Sequence, residues 1–195
     1  MLKFLSLSPF GVVNITFFEA TGRKVFLAPK FLPADGPSMT TFLRTLEFLS
    51  LGLWLGSDVF VSFVVAPGAF HVLAPARDQA GLVVGFALTR MHIGGIICGV
   101  IFLLARLARG RSFSNLVTPA ALCVLVMIAA TLVSQFTVSA KMVTLRGQMG
   151  SIQATAADSP LLAEFMRLHS ISVSLESVVL LAGIAAMFLL VREAA

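Results

Sequence analysis

The sequence is poor in charged residues. Only 12% of its 195 residues are Asp, Glu, Lys or Arg, whereas 58% are hydrophobic. Soluble domains are about 25% charged and about 45–50% apolar. With so few charges the chain cannot form a water-soluble surface, and its excess apolar residues must face lipid. We therefore predict an integral membrane protein whose partner is the lipid bilayer.

Several motifs are also missing. The two cysteines, Cys98 and Cys123, lie in apolar runs and form no CxxC pair, so no disulfide framework is expected. The absence of a P-loop, a GxSxG motif and an HExxH motif argues against the enzymes that use them, and no enzyme activity is expected. The net charge is +5, but no basic stripe with interleaved aromatic residues predicts nucleic-acid binding.

Four long apolar runs are present. Each is long enough to cross about 30 Å of hydrocarbon as a helix. The sequence therefore predicts an all-α fold, a polytopic membrane protein whose domain at residues 39–195 is a bundle of four transmembrane helices. The predicted spans are about residues 41–65, 81–107, 116–138 and 160–191.

Residues 1–38 differ from the rest of the chain. They contain four prolines and six charged residues, and no apolar run of about 18 residues. We expect a poorly structured N-terminal extension. The alternative is that translation starts at Met39, just before the first apolar run.

The basic residues between the second and third runs predict the orientation. Arg106, Arg109 and Arg111 cluster there, and Lys and Arg favour the cytoplasmic side of a membrane. Both termini are then expected in the cytoplasm.

Pairs of glycines mark the helix faces that can approach closely. Gly52 and Gly56 have GxxxG spacing, and so do Gly95 and Gly99. In membranes this spacing favours tight helix contacts. Packing within the chain is the expected use, and a homodimer is the alternative.

Polar residues within the apolar runs are the candidate functional residues. A charge at the bilayer centre costs about 2.5–3.5 kcal/mol, so it needs a partner or a wet cavity. The predicted topology places several such residues at one level, which predicts an outward-facing polar pocket with an ion pair between Asp58 and Arg90. The pocket residues are Asp58, Arg90, His92, Gln135, His169, Ser172 and Glu176.

Three other interpretations of these residues remain open. The polar groups can be structural, holding the helices together by hydrogen bonds. His92 and His169 can face each other and hold haem b between two imidazoles. His71 and nearby methionines offer soft ligands that suit copper.

Three segments resemble a known family. FLRTLEFLSLGLWLGSDVFVSFVVAPGAFHVL, GLVVGFALTRMHIGG and FMRLHSISVSLESVVLL are similar to the transmembrane protein 205 family and its bacterial relatives, over about residues 40–192. Relatives often have uncharged residues where this sequence has Asp58 and Glu176. The matching residues are Trp54, Gly56, Phe63, Ala66, Pro67, Phe70, Arg90, His92, Arg146, His169 and Ser172.

The resemblance implies a four-helix membrane bundle of unknown chemistry, located in the bacterial inner membrane. The architecture is more distantly similar to CopD-type copper-resistance proteins and to a haem-binding protoporphyrinogen oxidase type. The leading hypothesis is a non-enzymatic protein that binds or passes a small solute or ion through its polar pocket. The alternatives are a haem- or copper-binding redox protein that uses His92 and His169, and a structural or assembly protein.

Overall fold

A computed structural model of the protein describes residues 38–194 and three short strands before them. The strands β1 (Lys3–Leu7), β2 (Val13–Phe18) and β3 (Lys24–Val25) form an antiparallel sheet in the order β1-β2-β3. Met1–Ser38 and Met39–Ala195 form two separate compact units. The remaining expectations for residues 1–38 lie outside the described residues.

The first two spans are long helices. The first consists of α1 (Met39–Phe60), a π-helical turn (Val61–Val65) and α2 (Ala66–Val72). The second is the single helix α3 (Arg77–Gly110). Both are long and apolar enough to cross a membrane.

The third and fourth spans follow a short 3₁₀ helix (Phe113–Val117). The third consists of α4 (Pro119–Val133), a second π-helical turn (Ser134–Ser139) and α5 (Ala140–Met149). The fourth is α6 (Pro160–Ala194). These spans also have the length and composition to cross a membrane, so the prediction of a four-helix membrane protein is confirmed.

The helices are longer than the apolar runs predicted. The first run was expected to end at Ala66-Pro67-Gly68, but the helix continues to Val72. Proline has no N–H to donate within a helix. The π-helical turn precedes it, and there the N–H of Ala66 bonds to the carbonyl of Val61, five residues back. This wider turn lets the helix continue through Pro67.

The bundle closes around an apolar core. α1 packs on α3, α4 packs on α6, and α3 with α4 and α1 with α6 complete the ring. A smaller apolar cluster joins the third and fourth spans through Val138, Leu145, Phe165 and Leu168. The main core contains Leu51, Trp54, Phe102, Ala120, Val124, Met127, Ala130, Val179, Ala186 and Leu190.

Two of the predicted packing glycines lie in this core. Gly95 and Gly99 face Trp54, and a Cβ added at Gly99 would lie 2.7 Å from Trp54 Cζ3. The backbone of α3 can therefore approach the indole of α1. Gly56, in contrast, has nothing within 4 Å of an added Cβ, and Gly52 has only the end of a methionine side chain at 4.0 Å.

The two ends of the bundle differ. We call the end that holds the start of α1, the end of α6 and residues 111–118 the terminal end. The opposite end, with residues 73–76 and 150–159, is the loop end. There the Asp78 carboxylate accepts hydrogen bonds from Ser151 Oγ at 2.6 Å and from the N–H of Ile152 at 3.1 Å.

An ion-pair network closes the terminal end. Glu47 is fully buried and accepts from Arg106 Nη1 at 3.1 Å and from Arg109 Nε at 2.8 Å. Arg106 also reaches Glu193 at 2.5 Å, and Arg44 donates to the Glu193 carbonyl at 3.1 Å. The network ties together the first, second and fourth spans.

Candidate functional site

His92 is the centre of a second buried polar group, in the half of the bundle nearer the loop end. The side chain is fully buried on α3. Its Nε2 lies 2.7 Å from Glu176 Oε1 on α6, and its Nδ1 lies 2.8 Å from Gln135 Oε1 in the third span. One imidazole therefore links three spans.

Asp58 brings the first span into the same group. It is 1% exposed and interacts electrostatically with both His92 and Glu176. Ser62 Oγ, one helical turn further along, donates to Asp58 Oδ1 at 3.3 Å. All four spans thus contribute to one buried polar cluster, which consists of Asp58, Ser62, His92, Ser134, Gln135 and Glu176.

The hydrogen bonds determine where the protons of His92 lie. The amide oxygen of Gln135 only accepts, so Nδ1 carries a proton and donates it. Nε2 and the Glu176 carboxylate share a further proton across 2.7 Å. Ser134 Oγ also donates to Glu176 Oε1, at 3.1 Å.

The cluster still has unused acceptors. Asp58 Oδ2 and Glu176 Oε2 are buried and have no hydrogen-bond partner. Asp58 and Glu176 are two carboxyl groups beside a single imidazole. A net charge inside a membrane is costly, so the ionisable groups of the cluster must hold enough protons, or a cation, to stay close to neutral.

Both π-helical turns supply cluster residues. Ser62 lies in the first turn, and Ser134 and Gln135 begin the second. Such turns are frequent at functional sites because they displace side chains from the regular helix pattern. Ser62 and Ser134 were not among the predicted pocket residues. Their positions in the sequence could have indicated them, because Ser134 is next to Gln135 and Ser62 is one helical turn after Asp58.

Arg90 does not belong to the cluster. It is exposed, and its guanidinium carbon lies 5.2 Å from the centroid of the Phe86 ring. Among residues 38–194 it forms no ion pair with Asp58, so that predicted pair is wrong. Arg90 and His92 are two residues apart, which is about 200° around a helix. When His92 faces the interior, Arg90 must face outward.

The three histidines have different surroundings. His169 and His71 are exposed, whereas His92 is buried with both ring nitrogens engaged in hydrogen bonds. The haem and copper sites at these residues stay predictions. In the part of the chain that the structure describes, no three His, Cys, Asp or Glu side chains are grouped to hold a metal ion.

Ser172 remains close to the cluster. It is 6% exposed and lies on α6 one turn before Glu176. Asp58, His92 and Ser134 are buried, and two surface grooves of the bundle contain no cluster residue. One groove is lined by Val64, Val65, Gly68, Ala69, Val72, Leu73 and Val83, and the other by Pro119, Leu189, Arg192 and Glu193.

Comparison with known proteins gives one match. A family model described as a domain of unknown function (DUF4149) matches residues 49–151, more than half of the chain. The matched part includes Asp58, His92 and Gln135, whereas Glu176 lies beyond it. No curated protein and no solved structure matches the chain.

Proposed function

The chain belongs to the DUF4149 family, a domain of unknown function, and we propose from its buried cluster that it binds protons within the membrane and passes them across it. One observation carries the proposal. Asp58 Oδ2 and Glu176 Oε2 are buried without a partner, beside a single imidazole. Two carboxyl groups buried next to one imidazole can be neutral only when protons are bound to the group.

The burial of Asp58, His92 and Ser134 favours a proton over a larger solute. Neither surface groove is lined by a cluster residue. A solute of several atoms needs an open path, whereas a proton moves along hydrogen bonds between side chains. The short contact between His92 Nε2 and Glu176 Oε1 is suited to this movement, since imidazole readily changes its charge state near neutral pH.

The proposal includes a location. We place the protein in the bacterial inner membrane, with the terminal end in the cytoplasm, because Arg106, Arg109 and Arg111 lie at that end. The predicted resemblance to the transmembrane protein 205 family supports this location.

Proton flux into liposomes tests the proposed function. The purified protein is inserted into liposomes that contain a pH-sensitive dye, and a potassium gradient with valinomycin drives protons inward. We expect acidification faster than in protein-free liposomes. Glu176→Gln and Asp58→Asn should abolish the excess rate, because each removes a carboxylate that takes up the proton.

Glu164→Gln is the matched control. Glu164 lies on the same helix as Glu176 but forms an ion pair with Lys141 at the loop end. The proton flux of the Glu164→Gln variant should therefore equal that of the original protein. The proposal is overturned if the original protein gives no excess flux. It is also overturned if folded Glu176→Gln protein conducts as well as the original.

A further inference from the structure

We propose that Arg90 binds the phosphate of a lipid headgroup on the loop-end side of the membrane. Its guanidinium group then marks the edge of the hydrocarbon on that side, and the turns of the helices nearest the loop end stand outside the hydrocarbon. This site is on the outer face of α3 and does not depend on proton passage.

Arg90 is a cation without an anionic partner in the described bundle. It is exposed on α3 and takes part in none of the ion pairs of residues 38–194. Arg106 and Arg109, on the same helix, both pair with Glu47. A charge that faces hydrocarbon alone is costly, so the partner of Arg90 must come from its surroundings.

The Arg90 side chain extends toward the loop end. Its guanidinium carbon lies 5.2 Å from the centroid of the Phe86 ring, and Phe86 is one turn nearer the loop end of α3. Long basic side chains of membrane helices extend in this way toward the headgroups. A guanidinium group that contacts a ring can still direct the N–H groups at its edge to a phosphate, which they match in pairs.

The buried cluster gives a common level from which the depth of other residues can be measured. Three of its residues are joined across the spans by hydrogen bonds and so lie at one depth, namely His92, Gln135 and Glu176. At 1.5 Å per residue, Phe86 and Lys141 are each about 9 Å from this level toward the loop end. The guanidinium group of Arg90, beside Phe86, therefore lies at about the depth of Lys141.

The second set of charges on α3 is at the terminal end. Arg109 lies about 35 Å along the helix axis from the level of Phe86. The hydrocarbon of a bilayer is about 30 Å thick and the whole bilayer about 40–45 Å, so the two sets of charges fit the two layers of headgroups. The first turns of α3, which include Asp78 and Leu82, then lie outside the hydrocarbon, and the buried cluster lies inside it.

Native mass spectrometry tests the lipid contact. The full chain is purified in detergent and titrated with phosphatidylglycerol, and the lipids that stay bound are counted. Arg90→Gln should retain one lipid fewer than the original protein, because it removes the cation that holds the phosphate. Equal lipid counts in Arg90→Gln and the original protein would overturn the proposal.

Arg77→Gln is the matched control. Arg77 is also exposed on α3, but it lies about 20 Å from Arg90 toward the loop end, beyond the headgroups. This variant should retain as many lipids as the original protein. A loss of one lipid from Arg77→Gln as well would mean that any exposed arginine of the helix has the same effect, and it would overturn the assignment to Arg90.

Two further titrations identify the ligand. A diacylglycerol with a glucose headgroup carries no phosphate, so the original protein and Arg90→Gln should retain it equally. An excess of inorganic phosphate should leave the number of bound phosphatidylglycerol molecules unchanged. A difference with the glucose lipid would overturn recognition of the phosphate, and release of the lipid by inorganic phosphate would overturn recognition of a lipid headgroup.

Cysteine labelling tests the position of the hydrocarbon edge. Leu82, Ile93 and Leu104 are exposed and share one face of α3, because eleven residues make about three turns. Each is replaced by cysteine in a chain whose two native cysteines are alanine. A charged methanethiosulfonate on both sides of liposomes should label Leu82→Cys and spare Ile93→Cys and Leu104→Cys. If Leu82→Cys is as unreactive as Ile93→Cys, Arg90 lies within the hydrocarbon and the proposal is wrong.

Discussion

Three buried carboxylates in this protein have different surroundings. Both oxygens of Glu47 accept hydrogen bonds from arginines, Oε1 from Arg109 and Oε2 from Arg106 and Arg109. Asp58 and Glu176 each keep one oxygen without a partner. A buried carboxylate whose oxygens are all hydrogen-bonded is suited to a structural role, whereas a buried carboxylate with an open oxygen is costly as an anion, and protonation removes that charge.

Gly95 is the residue at which a single methyl group should matter most. A Cβ there would collide with the indole nitrogen of Trp54 and with two neighbouring ring carbons. We expect Gly95→Ala to destabilise the protein by about 1–3 kcal/mol, the usual cost of overpacking a core. The midpoint of thermal unfolding in detergent measures this effect.

The adjacent glycine provides the control. Gly94 is in the same helix but has nothing within 4 Å of an added Cβ. Gly94→Ala should leave the midpoint unchanged or raise it, since alanine favours a helix over glycine by about 0.5–1 kcal/mol. Equal loss of stability in both variants would mean that the close packing of Gly95 against Trp54 does not contribute to the stability of the folded protein.

At the scale of whole elements, the π-helical turn Ser134–Ser139 is the unusual feature of the third span. A π-helical turn holds one residue more than the same length of α-helix needs. Buried residues lie on both sides of the turn, among them Met127 and Leu145.

Deletion of a residue from this turn should be tolerated. Phe136 lies in the turn and is exposed. Its removal should convert the turn to regular α-helix without rotating α4 against α5, so the variant should purify as folded protein. Size-exclusion chromatography and circular dichroism in detergent measure this outcome.

Deletion of Val126 is the matched control. Val126 is also exposed and apolar but lies within α4. Its loss should rotate the flanking segments by about 100°, move one buried face out of the core and prevent folding. If the Phe136 deletion aggregates as readily as the Val126 deletion, the turn does not store an extra residue.

At the scale of the whole molecule, the four spans were readable from the sequence because apolar run length alone predicts them. Asp58, His92, Gln135 and Glu176 were also recognisable as polar residues in apolar runs. The sequence does not show which of these residues pair with one another, because pairing depends on how each helix is rotated about its axis. His169 shows this: it shares an ideal helix face with Glu176, seven residues away, yet it is exposed. Toward its start, α6 packs on the third span through Phe165 and Leu168, and this leaves His169 outside.

Basic residues are distributed almost evenly over the two ends of the described bundle. The terminal end holds Arg44, Arg106, Arg109, Arg111 and Arg192, and the loop end holds Arg77, Lys141, Arg146 and Arg167. Lys and Arg near the ends of spans set the orientation of a membrane protein. Residues 1–38 carry four further basic residues, Lys3, Arg23, Lys24 and Lys30, on the side where α1 begins. The two ends are therefore nearly balanced only in a chain shortened to start at Met39, and the orientation of that chain should be sensitive to single charges.

In the chain that starts at Met39, we therefore expect a double variant, Arg111→Ser with Arg192→Ser, to insert in both orientations. Neither residue takes part in the ion pairs of the described chain, so its loss should change charge balance and leave the packing intact. Alkaline phosphatase fused after the last residue reports orientation, because it is active only outside the cytoplasm. The fusion should be inactive in the original chain and partly active in the variant. Arg77→Ser with Arg167→Ser, which strengthens the bias, should remain inactive. An active fusion in the original chain would reverse the proposed orientation and place the loop end on the cytoplasmic side.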